Sequence, residues 1–550
     1  MTRAPLLAIA AVSVVAASLA GACGGKAAQP AATGPATAAA ADRGAAAAAL
    51  PVFPEEPFRA AQPAAAPPRD FHLPEMAHFV LGERDPIDVY LVERHDLPTI
   101  SIDLNVDGGA MLDPPGKVGL ASVCMDLLAE GTVELDKIAF REALADVASN
   151  VSSYAGEDRQ GVAMSTLTRS FDATFALFVD TITQPGMRQA DLDRLIKRRL
   201  EGLKQARGSA ESVAGRLDQM MVYGLDHPLG RVPTEKTLGA VRMADCKRHV
   251  RRYLEPRGAR LFVVGDTTEA DVRRSFAPLL ARWRGAPARA ARPPRPRPPA
   301  GRIFFVHIPG SAQSSVSMLH AGPPRLAPDY FATMLLAQVL GRGFSSRINM
   351  NLREDKGYSY GAGGGFAYNR FFGRFSARSS VRSDATYQSL IELRREVVAM
   401  QDGSRPATAD ELARDKEGTI LGLPASFDTA GAAIDQYRAL VYFGLPPDYF
   451  NGYVDQVRAV TADELKKAAA EHLRPDEARF LVVGDGDAPQ IAHHKGDGGQ
   501  KGEDRPLVDE AGVQLTLRAA LSKLAADRAL GDGKLVELDA DGKIVRPESA

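Results

Sequence analysis

A gapless internal repeat constrains the fold of this chain more than any other feature. The segment YLEPRGARLFVVGD at residues 253–266 recurs as HLRPDEARFLVVGD at residues 472–485, an offset of 219. Upstream, Tyr223 matches Tyr442 at the same offset. Because the outlying match keeps the offset, a chance likeness between two short strands does not explain it. The repeat predicts an α+β protein made of two homologous α/β halves of roughly 220 residues each.

Composition limits the classes of function. The chain has 550 residues, of which 45% are hydrophobic and 25% are charged, so it can bury a sizeable core. Lys and Arg number 67 against 68 Asp and Glu, which leaves a net charge of -1. Since no overall positive field is available to attract phosphates, we expect no nucleic-acid partner.

The first residues predict a secretory signal rather than part of the fold. Arg3 gives a positive start, residues 6–19 form an apolar run, and small residues lead to Cys23. This order is similar to the bacterial lipobox, in which the cysteine is acylated; a plain secreted protein is the alternative. We therefore expect a signal peptide at 1–23 and a periplasmic lipoprotein of the cell envelope, anchored to a membrane through Cys23. Gly24 carries no obvious inner-membrane retention signal, which favours the outer membrane.

Composition shifts and the repeat divide the remaining chain. The Ala/Pro-rich tether is too poor in apolar residues to fold, and prolines without amide donors favour an extended linker. The predicted segments are a disordered tether at 24–69, a first half at 70–284, a Pro/Arg-rich linker at 285–301, a second half at 302–487, and a polar loop with a small C-terminal extension at 488–550.

Local patterns predict individual elements. Alternating apolar and polar residues predict two strands within Ile87–Asp113. Helical periodicity predicts helices over Leu120–Glu130, Lys137–Ala148 and Ala190–Ala206. Lys534–Val545 has the pattern of a small hairpin.

Apart from Cys23, the cysteines are Cys124 and Cys246. Their spacing suggests neither a metal site nor a disulfide, so both are predicted to be buried core thiols.

Residues 335–366 carry a specific resemblance. The segment LLAQVLGRGFSSRINMNLREDKGYSYGAGGGF resembles the C-terminal half of the insulinase (pitrilysin) family of metallopeptidases, which includes the mitochondrial processing peptidases. The family pattern has three parts: Leu-Gly-x-Gly, Ser-Arg-Leu and Leu-Arg-Glu-x-x-Gly-x-x-Tyr. In this sequence they begin at Leu340, Ser346 and Leu352. The resemblance covers about residues 70 to 487 and implies a duplicated fold that closes as a clamshell.

The resemblance also places the family's zinc site. Family members bind zinc through His-x-x-Glu-His on a first-half helix, introduced by Gly-Leu-Ala and closed by Gly-Thr. Both frames survive here, at 119–121 and 131–132. The two histidine positions then fall on Ser122 and Asp126, and the position of the glutamate base falls on Met125.

Each substitution removes chemistry that a zinc hydrolase needs. The third ligand position falls on Gly202, beside Glu201. Serine is a poor neutral zinc ligand, and methionine cannot take a proton from water. The resemblance therefore implies that this motif supplies no catalytic residue and that this chain holds no metal of its own.

One functional pair of the family is retained. In the family an arginine and a tyrosine, seven residues apart in the C-terminal half, hold the substrate carbonyl and stabilise the oxyanion. Arg353 and Tyr360 keep this spacing. The resemblance leaves two interpretations, a pair that binds substrate in trans and a structural relic.

Small bacterial members of the family often work as heterodimers. The resemblance implies a non-catalytic subunit, inactive alone, that pairs with a homologous zinc-peptidase subunit, with zinc on the partner. The pair would bind unfolded peptides by hydrogen bonding to an edge strand and cleave them in the cell envelope. The alternatives are a peptide-binding or scaffold lipoprotein without a peptidase role, and a divergent self-sufficient metallopeptidase using Asp126 and Glu201.

Overall fold

Two β-sheets with one shared strand order form the frame of the molecule. The computed structural model describes residues 73–283, 285, 292–494, 502–527 and 532–546. The predicted signal peptide with Cys23 and the predicted tether lie outside these residues, as do parts of the linker and of the C-terminal extension. None of the helices in the described part of the chain has both the length and the hydropathy of a membrane span.

The elements follow in chain order. The strands are β1 (Ala77–Leu81), β2 (Ile87–Glu93), β3 (Thr99–Asp107), β4 (Asn150–Ala155), β5 (Arg159–Leu167), β6 (Arg260–Gly265), β7 (Ile303–His307), β8 (Gln313–Gly322), β9 (Ser359–Tyr368), β10 (Gly373–Arg382), β11 (Arg479–Gly484), β12 (Ile491–His494), β13 (Glu503–Pro506), β14 (Leu535–Leu538) and β15 (Ile544–Arg546). The helices are α1 (Leu120–Leu128), α2 (Lys137–Asp146), α3 (Phe171–Thr183), α4 (Gln189–Ala206), α5 (Ala210–Tyr223), α6 (Glu235–Gly239), α7 (Met243–Tyr253), α8 (Glu269–Arg282), α9 (Tyr330–Gly341), α10 (Arg347–Asn349), α11 (Thr386–Gln401), α12 (Ala409–Gly422), α13 (Ala430–Phe443), α14 (Tyr453–Ala459), α15 (Ala462–His472) and α16 (Leu517–Ala526).

Sheet topology confirms the predicted duplication and the α+β class. The first sheet has the order β1-β2-β6-β3-β5-β4, and the second has the order β15-β14-β7-β11-β8-β10-β9. The run β2-β6-β3-β5-β4 therefore matches β7-β11-β8-β10-β9 strand for strand. Within each run the first pair is parallel and the others are antiparallel. Helix α7 and strand β6 coincide with α15 and β11 at the offset of 219.

The predicted local elements form, with one difference in pairing. Helices α1, α2 and α4 confirm the three predicted helices, and β14 pairs with β15 in the predicted hairpin. Both strands predicted within Ile87–Asp113 are present as β2 and β3. They do not pair with each other, however, because β6 lies between them. Local alternation identifies strands but not their neighbours, and β6 comes from more than 150 residues further along the chain.

The match of Tyr223 with Tyr442 is wrong by one residue. Helices α5 and α13 both have 14 residues and are followed by Gly224 and Gly444, so their ends align at an offset of 220. Tyr223 is therefore equivalent to Phe443. The offset returns to 219 at α7 and α15 because the connection that precedes α15 is one residue shorter.

The two halves exchange one helix each. Helix α5 of the first half packs on the second sheet, where Leu217 and Met221 form one buried cluster with the strand residues Val306 and Leu481. Helix α13 packs on the first sheet in the same way, and its side chains form one buried cluster with Val92, Phe262 and Val264. One face of each sheet is therefore covered by a helix from the other half.

Two buried histidines make the stability of this fold depend on pH. Burial lowers the pKa of both His249 and His320 to about 4. In an unfolded chain the imidazole pKa is about 6.5, so as pH falls below 6.5 the unfolded state takes up protons that the folded state does not. We expect each histidine to cost about 2 kcal/mol of folding free energy between pH 7 and pH 5.

Urea unfolding at pH 7 and at pH 5 measures this effect. The double variant His249→Gln and His320→Gln should lose less stability between the two pH values than the native chain. His78→Gln is the matched control, because the His78 side chain is 49% exposed. Equal pH dependence in the native chain and in the double variant would contradict the assignment.

Candidate functional site

The frame around the family's zinc helix is retained for packing reasons. Gly119 precedes α1 with φ of 96°, and a Cβ there would lie 2.6 Å from Cδ2 of Leu238. The amides of Gly119 and Ala121 donate to the Asp113 carboxylate at 2.7 and 2.9 Å, which satisfies the start of α1. Burial raises the pKa of the Asp113 carboxyl to about 6, although these amides favour the charged form. At the other end Gly131 has φ of 123°. Packing and hydrogen bonding therefore account for the glycines that flank α1 without a metal.

An arginine joins the two positions that would carry the histidines. Arg199 on α4 donates to the Ser122 hydroxyl at 3.0 Å and forms an ion pair with Asp126. The Arg199 side chain is 42% exposed and that of Asp126 is 29% exposed, so solvent weakens this pair. Met125, at the position of the base, is fully buried in the first-half core.

The position of the third ligand offers no donor. Gly202 is exposed, and no atom lies within 4 Å of a Cβ built on it. It lies three residues after Arg199 on α4, close to the same helix face. Glu201 instead lines a groove of about 540 Å³ with Ile196, Lys204 and Arg242, and Asp126 is not part of that groove.

These residues do not fit a zinc ion. The donor set is one hydroxyl and one carboxylate, and a guanidinium already occupies both. Zinc in hydrolases is held by three protein ligands, mostly histidines, that leave one position open. A cation beside Asp126 would also meet the positive charge of Arg199. The geometry therefore supports the expectation that this motif has no catalytic metal.

The prediction of two free core thiols is wrong. Cys124 on α1 and Cys246 on α7 form a disulfide, with their Cα atoms 4.8 Å apart. The two residues are 122 positions apart in sequence, which is why spacing gave no indication of the pairing. The bond ties the degenerate zinc helix to α7 within a buried cluster that also contains Leu127 and Leu195.

The arginine–tyrosine pair lies at the surface of the second half. The Arg353 guanidinium lies 4.8 Å from the ring centroid of Tyr360 and 4.7 Å from that of Phe344. Arg353 Nε also contacts Glu354 at 3.1 Å. Tyr360 is 86% exposed and Phe344 is 58% exposed. Two cation–π contacts and the contact with Glu354 therefore position the guanidinium.

The edge strands β9 and β4 of the two sheets differ in the hydrogen bonding of their outer backbone groups. Along β9, the Ala362 amide donates to Asn349 Oδ1 at 3.1 Å, and the Phe366 carbonyl accepts from Arg342 at 3.1 Å. Side chains of the α9–α10 region therefore occupy that edge. The backbone of β4, at the equivalent edge beside α1, makes no hydrogen bond other than its pairing with β5 within the described residues. The outer edge of β4 is therefore better suited than that of β9 to pair with an extended peptide.

Two models of known protein families match this chain. Residues 89–221 match the family model described as insulinase (peptidase family M16), and residues 241–418 match the model described as the peptidase M16 inactive domain. Together the two matches span more than half of the chain. The chain carries the two domains of peptidase family M16.

A curated relative and several solved structures agree with this assignment. The chain is 19% identical over 406 residues to the protein named non-peptidase homolog YmxG of Helicobacter pylori (strain ATCC 700392 / 26695), covering 72% of this chain and 91% of that protein. It is similar to the peptidase M16 inactive domain of Pseudomonas fluorescens, with a TM-score of 0.69, 22% identity, and coverage of 75% and 98% of the two chains. A protease from Helicobacter pylori gives a TM-score of 0.67 with 16% identity, and coverage of 75% and 100%. At these identities the structures show the fold alone.

Sequence reasoning missed three members of this M16 site. Arg199 carries no motif, although its place three residues before Gly202 puts it near the ligand face of α4. Phe344 lies inside the glycine-rich loop that precedes Arg353, where an aromatic residue beside a cation is a usable signal. The disulfide had no local signal at all, because its cysteines meet only in the folded chain.

Proposed function

We propose that this chain is the non-catalytic subunit of a heterodimeric M16 peptidase, pairing with a homologous subunit that carries His-x-x-Glu-His and zinc. One observation carries the proposal. Arg353, which is 32% exposed, contacts the exposed Tyr360 on the second half, whereas Ser122, Met125 and Asp126 leave the first half without hydrolytic chemistry. A chain that keeps the oxyanion pair and lacks the metal is complete only beside a metal-bearing partner.

The role of each part follows from its chemistry. A guanidinium and a phenol aimed at the scissile carbonyl stabilise the negative charge that develops when water attacks it. Zinc on the partner would supply the activated water. Strand β4, with its unpaired outer backbone, would hold an extended peptide by main-chain hydrogen bonds and would therefore bind it with little sequence selectivity. The name of the curated relative, a non-peptidase homolog, agrees with a subunit that does not hydrolyse peptides alone.

The proposed location is the cell envelope, with Cys23 as lipid anchor and the outer membrane as its site. The Cys124–Cys246 disulfide supports an oxidising compartment, because such bonds persist outside the cytosol. The self-sufficient metallopeptidase is disfavoured, since Asp126 is paired with Arg199 and Glu201 lines a separate groove.

Co-purification from the native membrane tests the proposal. We expect the detergent-solubilised lipoprotein to bring down a chain of similar size with intact His-x-x-Glu-His, and zinc to be present in the complex. The complex should cleave unfolded peptides, while this chain alone should not. Recovery of this chain alone, or with copies of itself only, would leave the scaffold or peptide-binding lipoprotein as the better interpretation.

A further inference from the structure

A cavity of about 910 Å³ lies on the open face of the second sheet, beside helix α5. Glycines and serines of β8, β9 and β10 form much of its wall. The charged groups include Asp218 from α5 and Arg374 and Arg378 from β10, and Arg353 lines it as well. Since its walls are mostly polar or small, the cavity suits a polar ligand rather than an apolar one.

The internal repeat shows that this cavity is not a property of the fold. In the first half, the same place is filled by a hydrogen-bonded network. Arg438 of α13 donates to the buried Asp103 of β3 at 2.7 Å, and the Tyr154 hydroxyl donates to the same carboxylate at 2.8 Å. Asn105 in turn donates to the Tyr154 hydroxyl at 2.7 Å. The first half thus closes this position with its own side chains.

The second half lacks the members of that network. Asp218 stands where Arg438 stands, because α5 and α13 align from end to end. Ser317 stands where Asp103 stands, since each pairs with the equivalent residue of the central strand. By the same register Gly365 replaces Tyr154. The second half has no ring at the position of Tyr154 and a shorter carboxylate at the position of Arg438. This smaller side-chain volume opens the cavity.

The charged groups left behind have unmet hydrogen-bonding capacity. Asp218 is only 3% exposed, and its Oδ1 atom makes no hydrogen bond within the described residues. Its Oδ2 atom lies 3.9 Å from Arg378 Nη1, beyond hydrogen-bond distance. Apart from the backbone pairing of β10 with β8 and β9, Arg374 makes no hydrogen bond or ion pair with any residue that the structure describes. Buried polar groups are rarely left without a partner, and this applies to Asp218, whereas the Arg378 side chain is 66% exposed. A ligand with an N–H donor would satisfy the Asp218 carboxylate, and an anionic group next to that donor would lie on the two arginines.

We propose that this cavity binds the carboxylate of a peptide, held by Arg374 and Arg378, while Asp218 accepts the adjacent peptide N–H. A peptide carries a donor and an anionic acceptor side by side, which matches the two signs of charge. The inference rests on the proposed function and deepens it, because a peptide anchored here would pass Arg353 at the cavity wall.

Calorimetric titration of the full chain without its partner tests the inference. The probes are short acetylated peptides free of charged side chains, with either a free carboxyl terminus or an amidated one. We expect amidation to weaken binding by about tenfold or more, since a hydrogen bond to a charged group is lost. An amidated peptide with one internal Asp distinguishes the source: restored binding assigns the site to side-chain carboxylates, and unrestored binding assigns it to the chain terminus.

Variants separate this site from the rest of the surface. Arg374→Gln should abolish the preference for the free carboxylate, whereas Arg274→Gln, on a 74% exposed arginine of α8, should keep it. Equal binding of carboxylate and amide by the native chain, or an undiminished preference in Arg374→Gln, overturns the inference. Neither result affects the proposed function, which fails only if the zinc subunit does not co-purify or if its activity ignores Arg353.

Discussion

Replacing Arg353 by alanine is expected to lower the peptide-cleaving rate of the complex with the zinc subunit by about ten- to thousandfold. The guanidinium is already positioned by contacts with two exposed rings, so the loss should appear mainly in kcat, where developing charge is stabilised, rather than in KM. The measurement is steady-state cleavage of a quenched fluorescent peptide by the complex.

A matched control exists on the same half of the chain. Arg414 pairs with the neighbouring Asp415 at 2.8 Å and is 42% exposed, as Arg353 pairs with the neighbouring Glu354 at 3.1 Å and is 32% exposed. Arg414→Ala should leave the rate unchanged. If Arg353→Ala and Arg414→Ala give the same cleavage rate, the arginine–tyrosine pair is a structural relic, and the scaffold interpretation is favoured.

Removing the disulfide should destabilise the folded chain by about 2–5 kcal/mol. The bond joins α1 to α7 across 122 positions, so it restricts a long loop of the unfolded chain. Cys124→Ala with Cys246→Ala removes it without placing a polar group at two fully buried positions.

Urea unfolding with and without a thiol reductant measures this effect. The native chain should unfold at lower urea when reduced, and the double variant should be insensitive to the reductant. Identical midpoints for the native chain in both conditions would show that the bond does not form in solution. That outcome would also remove one support for an oxidising compartment.

The sequence predicted the duplication, the class of fold and most local elements because these have periodic signals. It predicted α4 through its apolar face and the second half through a gapless repeat. It did not predict that β6 separates β2 from β3, since strand neighbours depend on contacts between distant segments. The one-residue shift between α5 and α13 was hidden because Tyr223 and Tyr442 match by letter but not by position.

The candidate site was predictable only as far as its motif extends. The frame glycines and the positions of Ser122, Met125 and Asp126 could be located by counting. The arginine that pairs with Asp126, and the cysteine that bonds Cys124, both come from other helices, so only folding reveals them. The role of Arg353 stays a prediction, because geometry places the residue without measuring its effect on a rate.

The exchange of α5 and α13 has a consequence for the history of this chain. A single ancestral half would have lacked a cover for one sheet face, and a second copy could provide it through the same helix with twofold symmetry. Gene fusion would then have made an internal dimer whose two members no longer had to stay identical. The network around Asp103 in one half and the cavity around Asp218 in the other show how far two such copies can diverge.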